Sequence, residues 1–285
     1  LPRGVPGTMR NILLRLLTAG VVVPLMLYVL FRGPAPAFDA WITLLAVLGL
    51  HELFVMLERR SHRPFVAFGF LMLILIQLSA YTGLPAFPGS ILLLHPVVML
   101  TVLIAGLAVM QLPRGHVEEN LPNMALTLFA VLYTGWLLSF VVRLHALPEG
   151  ASWVALLLAF TWIFDSGAYA WGKSLGRTKM WVDVSPGKTW EGYWGGTATA
   201  LATAWLLKRL PEWWPAFPAL FPAALGTGPL LLLVLAGCGV AQVGDLVESM
   251  IKRYARVKDS SAIFPGHGGV LDKIDSFLFI APYAY

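Results

Sequence analysis

Residues 228–247 read GPLLLLVLAGCGVAQVGDLV. A helix that crosses a bilayer needs about 20 mostly apolar residues, and this stretch supplies them with a single ionisable side chain, Asp245. Outward from it, comparable runs lie at roughly 12–31, 37–57, 65–82, 91–110, 121–142, 152–171 and 192–207. The run at 192–207 is short, so tilt or different bounds are expected for it. A ninth begins near Ile274 and is still apolar at Tyr285. From Asp272 to Tyr285 a helix rises only about 21 Å, so the last helix is expected either to be cut short in this chain or not to cross fully. The expected fold is an all-α polytopic membrane protein of about nine transmembrane helices.

Composition agrees. Of 285 residues, 58% are hydrophobic and 12% charged, where a soluble domain carries about 25% charged residues. Half the usual charge cannot cover a surface that faces water, so lipid is the main solvent. The lone cysteine, Cys238, excludes an internal disulfide and a thiolate metal cluster. The net charge is +5. It reflects loop charge, and no basic-aromatic platform for nucleic acid is present. Residues 1–8, LPRGVPGT, precede Met9 and are set aside as a remnant or upstream extension. Residues 9–150 are taken as N-terminal transmembrane helices and 151–285 as a C-terminal catalytic region.

Lys and Arg set orientation. With the N-terminus in the cytoplasm, 16 of the 20 fall on inside segments, leaving Arg32, Arg143, Lys208 and Arg209 outside. The outside segments 83–90 and 211–229 are rich in Pro, Trp, Phe and Gly, and Trp213 and Trp214 suit an interfacial belt. No internal repeat supports a transporter.

Polar residues concentrate in two inside loops, 172–191 and 248–275, at the cytoplasmic membrane boundary. Each follows a carboxylate in an apolar helix, Asp165 and Asp245, and an ionisable group there is a functional candidate. In the second loop Lys252, Arg253 and Lys258 supply positive charge. His267-Gly268-Gly269 would let backbone N–H groups approach an anion. Asp272 and Asp275 are spaced to share one face in the first turn of a helix, where anions are favoured. Cations, a glycine turn and paired carboxylates describe a site for a polyphosphate with a divalent metal. In the first loop Gly187-Lys188-Thr189 resembles the end of a phosphate-binding loop. Val182 stands where its first glycine belongs and no strand is expected before it, so that reading fails. Ser185 is expected to cap the seventh helix, with Pro186 at its first position and Lys188 facing the phosphates. Gly192 and Gly196 suit close helix packing. His51-Glu52 lacks the second histidine of a zinc protease, since Val55 occupies that place, and is expected to be structural or interfacial.

Taken together, Ser249, Ile251, Lys252-Arg253, Lys258-Asp259, Ser261, Phe264-Pro265, His267-Gly268-Gly269-Val270, Asp272, Ile274 and Asp275 resemble the signature of the phosphatidate cytidylyltransferase family, the CDP-diacylglycerol synthases. GDLVES at 244–249, DSGAYAWGKSLGRTK at 165–179 and SPGKTWEG at 185–192 resemble further family segments. Residues 9–150 match only as hydrophobic helices. The family carries Arg where this chain has Lys273, and the two are not equivalent at a forked phosphate contact. The resemblance implies transfer of a cytidylyl group from CTP to phosphatidate, by a homodimer in the inner (plasma) membrane. It implies Mg²⁺, alone or with a second cation. The residues expected to act on the reacting groups are Lys188, Lys252, Arg253, Lys258 and His267. Ser185, Ser249, Gly268, Gly269 and Lys273 are expected to bind substrate, and Asp165, Asp245, Asp272 and Asp275 to hold metal. The competing readings are a CTP-dependent kinase of a polyprenol or phytol, and a transporter without turnover.

Overall fold

The computed structural model describes residues 20–81, 96–113, 117–214, 221–222, 224–263 and 268–285. Its helices follow the apolar runs: α1 Gly20–Arg32, α2 Ala35–Glu58, α3 Val66–Ala80, α4 Pro96–Gln111, α5 Glu118–His145, α6 Gly150–Leu175, α7 Trp190–Trp213, α8 Thr227–Tyr254 and α9 Leu271–Ala284. Four of these, α2, α5, α6 and α8, are long and apolar enough to cross a membrane. The expected extension at 1–8, the start of the first run and His267 lie outside the described residues.

The described residues fall into two compact units. The first takes Leu1–Ser139 and Ala255–Ile274, the second Phe140–Tyr254 and Asp275–Tyr285. In the first, α2, α3 and α5 pack together, with α4 against α3 and α5. Close approach is possible because Gly69 leaves room for the Phe54 ring and Gly135 for Leu73. Gly135 lies in a π-helical turn of α5, Leu132–Trp136, whose Gly135 carbonyl accepts from the buried Gln77 Nε2 at 3.0 Å. The loop before α3 is pinned to α5, since Asn123 Oδ1 accepts from Arg63 N at 2.8 Å and Thr127 Oγ1 from Phe65 N at 3.0 Å.

In the second unit α6 and α7 lie side by side, and α8 packs on both. Gly192 and Gly196 make the α6–α7 contact, as expected. A Cβ on Gly196 would stand 2.7 Å from the Phe164 carbonyl oxygen and 2.8 Å from Ala168 N.

Three expectations change. The first loop is shorter than 172–191, because α6 continues to Leu175. It also holds an antiparallel hairpin, β1 Lys179–Trp181 with β2 Ser185–Thr189. Ser185 is therefore a strand residue, and the α7 cap is Thr189, whose Oγ1 accepts from Gly192 N at 3.2 Å. A hydroxyl at that position satisfies one of the orphan N–H groups of the first turn. Finally, Glu248–Tyr254 belongs to α8, so the second loop begins only at Ala255.

Candidate functional site

The hairpin delivers Lys188 to the second unit's carboxylates. Lys188 Nζ lies 2.5 Å from Asp245 Oδ2 on α8, and Ser249 Oγ, one turn on, donates to Asp245 Oδ1 at 3.3 Å. Asp165 on α6 and Asp275 on α9 are within electrostatic reach of Asp245 and Lys188. Gly244 permits the crossing of α8 and α9 here, since a Cβ on it would stand 2.6 Å from the Asp275 carbonyl oxygen. Arg253 Nε donates to the Val184 carbonyl at 3.2 Å, tying the hairpin turn to the end of α8.

The hairpin's other anchor is Glu191, whose carboxylate accepts from the backbone N–H of Arg177 and Thr178 at 3.0–3.1 Å. Hydrogen bonds from its own backbone N–H, from the Thr178 side chain and from those two amides bring its pKa down to about 2. Lys252, expected to face phosphate, pairs with Glu248, a buried carboxylate one turn earlier on α8.

The first unit holds the rest of the second loop, and its chemistry differs from expectation. Asp272 Oδ2 accepts from Ser260 N at 2.9 Å and Gly269 N at 2.8 Å, and shares the single proton of Ser260 Oγ, 2.9 Å away, with Glu52 Oε2. Glu52 of α2, 1% exposed, accepts from the Val270 and Leu271 amides and from the Ser260 and Ser261 hydroxyls. The Gly269 amide, expected to approach an anionic ligand, is therefore spent on a carboxylate of the chain itself. The glycines serve the same end. Gly268 has φ +85°, a conformation costly for other residues, and a Cβ on it would collide with Asp272. A Cβ on Gly269 would collide with Ser260 Oγ and Glu52 Oε1. Lys258 and Lys273 are exposed on either side of this arrangement.

Of the expected residues, the second unit thus assembles Lys188, Asp245, Ser249, Asp165 and Asp275, with Ser185 and Arg253 in or on the hairpin. Asp272 belongs with the loop of the first unit. Glu52 is the residue that sequence reasoning undervalued. The signal was present, because an ionisable group inside an apolar helix is what singled out Asp165 and Asp245.

Among the described residues no three His, Cys, Asp or Glu side chains converge so as to hold a metal by themselves. The donor chemistry nonetheless fits a hard cation. Asp245 pairs with Lys188, with Asp165 and Asp275 within electrostatic reach, and Mg²⁺ takes one or two carboxylates and completes its shell with substrate phosphates and water.

Residues 13–285 match the Cytidylyltransferase family. The chain belongs to that family. It is 41% identical over 160 residues to a phosphatidate cytidylyltransferase of Bacillus subtilis, an alignment covering 55% of each chain. It is 36% identical over 164 residues to one of Staphylococcus aureus, covering 56% of this chain and 57% of that protein. With one of Staphylococcus epidermidis it shares 34% over 160 residues, again 56% and 57%. The matched region thus spans little more than half the length of these relatives. Every segment that meets around Asp245 lies inside the family match.

Proposed function

We propose that the chain transfers a cytidylyl group from CTP to phosphatidate, giving CDP-diacylglycerol and pyrophosphate. The observation that carries the reading is the meeting of Lys188, Asp245, Ser249, Asp165 and Asp275 from four separate elements in one unit. The names of the similar proteins support it, and none of them favours a kinase or a transporter.

A phosphate oxygen of phosphatidate attacks the α-phosphorus of CTP. The bond from that phosphorus to the bridging oxygen of the β-phosphate breaks, and pyrophosphate leaves. The nucleophile is already an anion, so no strong general base is required. The barrier lies in bringing two anions together, and fixed positive charge lowers it. Lys188 is held for that task by Asp245, and Arg253 holds the hairpin that carries Lys188. Mg²⁺ bound by Asp245, with Asp165 or Asp275 and phosphate oxygens, would supply further charge neutralisation at the phosphates.

The setting belongs to the same reading. The 16 to 4 division of Lys and Arg favours an odd number of spans, nine by the count of apolar runs, with a cytoplasmic N-terminus and a site at the inner boundary, where CTP arrives from the cytosol and lipid from the bilayer. Residence in the inner membrane and a homodimeric state are part of the same proposal.

The test is incubation of purified protein with phosphatidate, Mg²⁺ and labelled CTP. Label at the α-phosphate is expected in lipid. Label reaching lipid only from the γ-phosphate would make the protein a kinase and overturn the proposal.

A further inference from the structure

α6 is long and apolar enough to cross a membrane and ends at Leu175. β1 begins at Lys179, four residues on. Four extended residues reach at most about 14 Å, so where α6 leaves a bilayer the hairpin starts a short step from the headgroups. Its surface is poorly suited to water. Trp181 is 46% exposed and Val182, at the turn, 59%. Trp190 and Trp194, at the start of α7, are 41% and 59% exposed. The rings form one connected set, with centroids 6.1 Å apart from Trp181 to Trp190, 6.1 Å from Trp190 to Tyr193 and 4.9 Å from Tyr193 to Trp194. Tyr193 meets the buried Phe164 of α6 edge-on at 5.9 Å, so the set is rooted in the core of the second unit. Positive charge accompanies it. Lys173, Arg177 and Lys179 are exposed, and Lys179 and Trp181 are the exposed residues of β1, on either side of Met180. Of the two carboxylates in the same stretch, Asp183 and Glu191, Glu191 is taken by the Arg177 and Thr178 amides. Tryptophan favours the boundary layer of a bilayer, where one end of the ring is apolar and the other wet. Basic residues beside that layer are drawn to anionic lipid.

We propose that the hairpin and the start of α7 form a docking surface for an anionic lipid leaflet, with Trp181, Val182, Trp190 and Trp194 in the interface and Lys173, Arg177 and Lys179 against the lipid phosphates. The inference goes beyond the reaction proposed above, and docking is read without turnover, so the two fail separately. On that reaction, phosphatidate is itself an anionic lipid, and the surface gathers it beside the strand that carries Lys188. The full chain is placed in vesicles of phosphatidylcholine, alone or mixed with phosphatidylglycerol, with a polarity-sensitive fluorophore on Val182→Cys. Cys238 is buried and adds little label. The fluorophore is expected to be quenched by brominated lipid and shielded from iodide, more so with phosphatidylglycerol present. Lys179→Ala is expected to lower the docking constant, read from quenching against phosphatidylglycerol content, about fivefold, the scale of one basic residue at an anionic surface. Trp181→Ser is expected to weaken quenching at every lipid composition. If Trp181→Ser does not fold, Lys179→Ala decides. A label open to iodide in both kinds of vesicle, or quenching unchanged by phosphatidylglycerol and by Lys179→Ala, would overturn the proposal. So would shielding by CTP in detergent without lipid, which makes the rings a nucleobase platform, or shielding that grows with protein density, which makes them a contact between copies.

Discussion

Lys188 and Asp245 form an ion pair in the candidate site, and they define what a single substitution there should do. Asp245→Asn keeps the side chain's size and removes its charge. Turnover is expected to fall at least about 10²-fold, as when a key electrostatic stabiliser is lost. Lys188→Ala does more than remove a cation. It leaves Asp245 facing Asp165 and Asp275 with no lysine between them, so it should lower both turnover and the melting temperature. Steady-state rates and thermal melts in one detergent check both variants. A folded Asp245→Asn protein with parental turnover would remove this residue from the site. Lys273 poses a different question, because an ammonium is a point charge and a guanidinium a fork. If the exposed Lys273 meets phosphate, Lys273→Arg should match or exceed the parent rate and Lys273→Ala should lose activity. Equal turnover for Ala and Lys would place the residue outside the reaction.

At the level of elements, the α6–α7 contact is set by backbone approach. Gly196→Leu must push α6 away from the Phe164 carbonyl and is expected to cost about 1–3 kcal/mol, the usual range for overpacking, read as a drop in unfolding midpoint. The hairpin depends on acidity through Glu191. Its folded pKa of about 2 lies below the ordinary 4.5. The stabilisation it gives is therefore complete above pH 4.5 and is lost as pH falls through 2. Protection of the Arg177 and Thr178 amides from exchange should persist at pH 5 and disappear near pH 2. In Glu191→Gln it should be weak throughout. The helices were legible beforehand, because length and apolarity alone specify them: the run at 228–247 became the apolar body of α8. The hairpin was not. Its strands are three and five residues long and contain Pro186 and Gly187, which argue against a strand on local propensity. What forms it is tertiary anchoring, through Glu191 and Arg253, and no local pattern announces that. Asp245 and Lys188 were legible as isolated charges beside apolar helices. The destination of the Val270 and Leu271 amides was not, since their acceptor, Glu52, lies more than two hundred residues away in sequence.

For the molecule as a whole, the orientation proposed from loop charge can be mapped with single cysteines. Cys238 is buried, so the parent chain gives little background with an impermeant thiol reagent. In intact cells Ser61→Cys and Ala262→Cys should be shielded, and Leu147→Cys and Gly226→Cys should react. External labelling at Ala262→Cys would reverse the assignment. The tie between Glu52 and Val270 also bears on how the chain is made. Synthesis runs from the N-terminus, so α2 leaves the ribosome well before its four donors have been translated. Throughout that interval the nascent helix carries, toward one end, a carboxylate with none of its eventual partners, and an ionisable group in an apolar helix is costly. The first unit thus closes only after Leu271 has been made. Chains that stop before residue 260 are expected to be recognised as unfinished and degraded, however well their remaining helices insert.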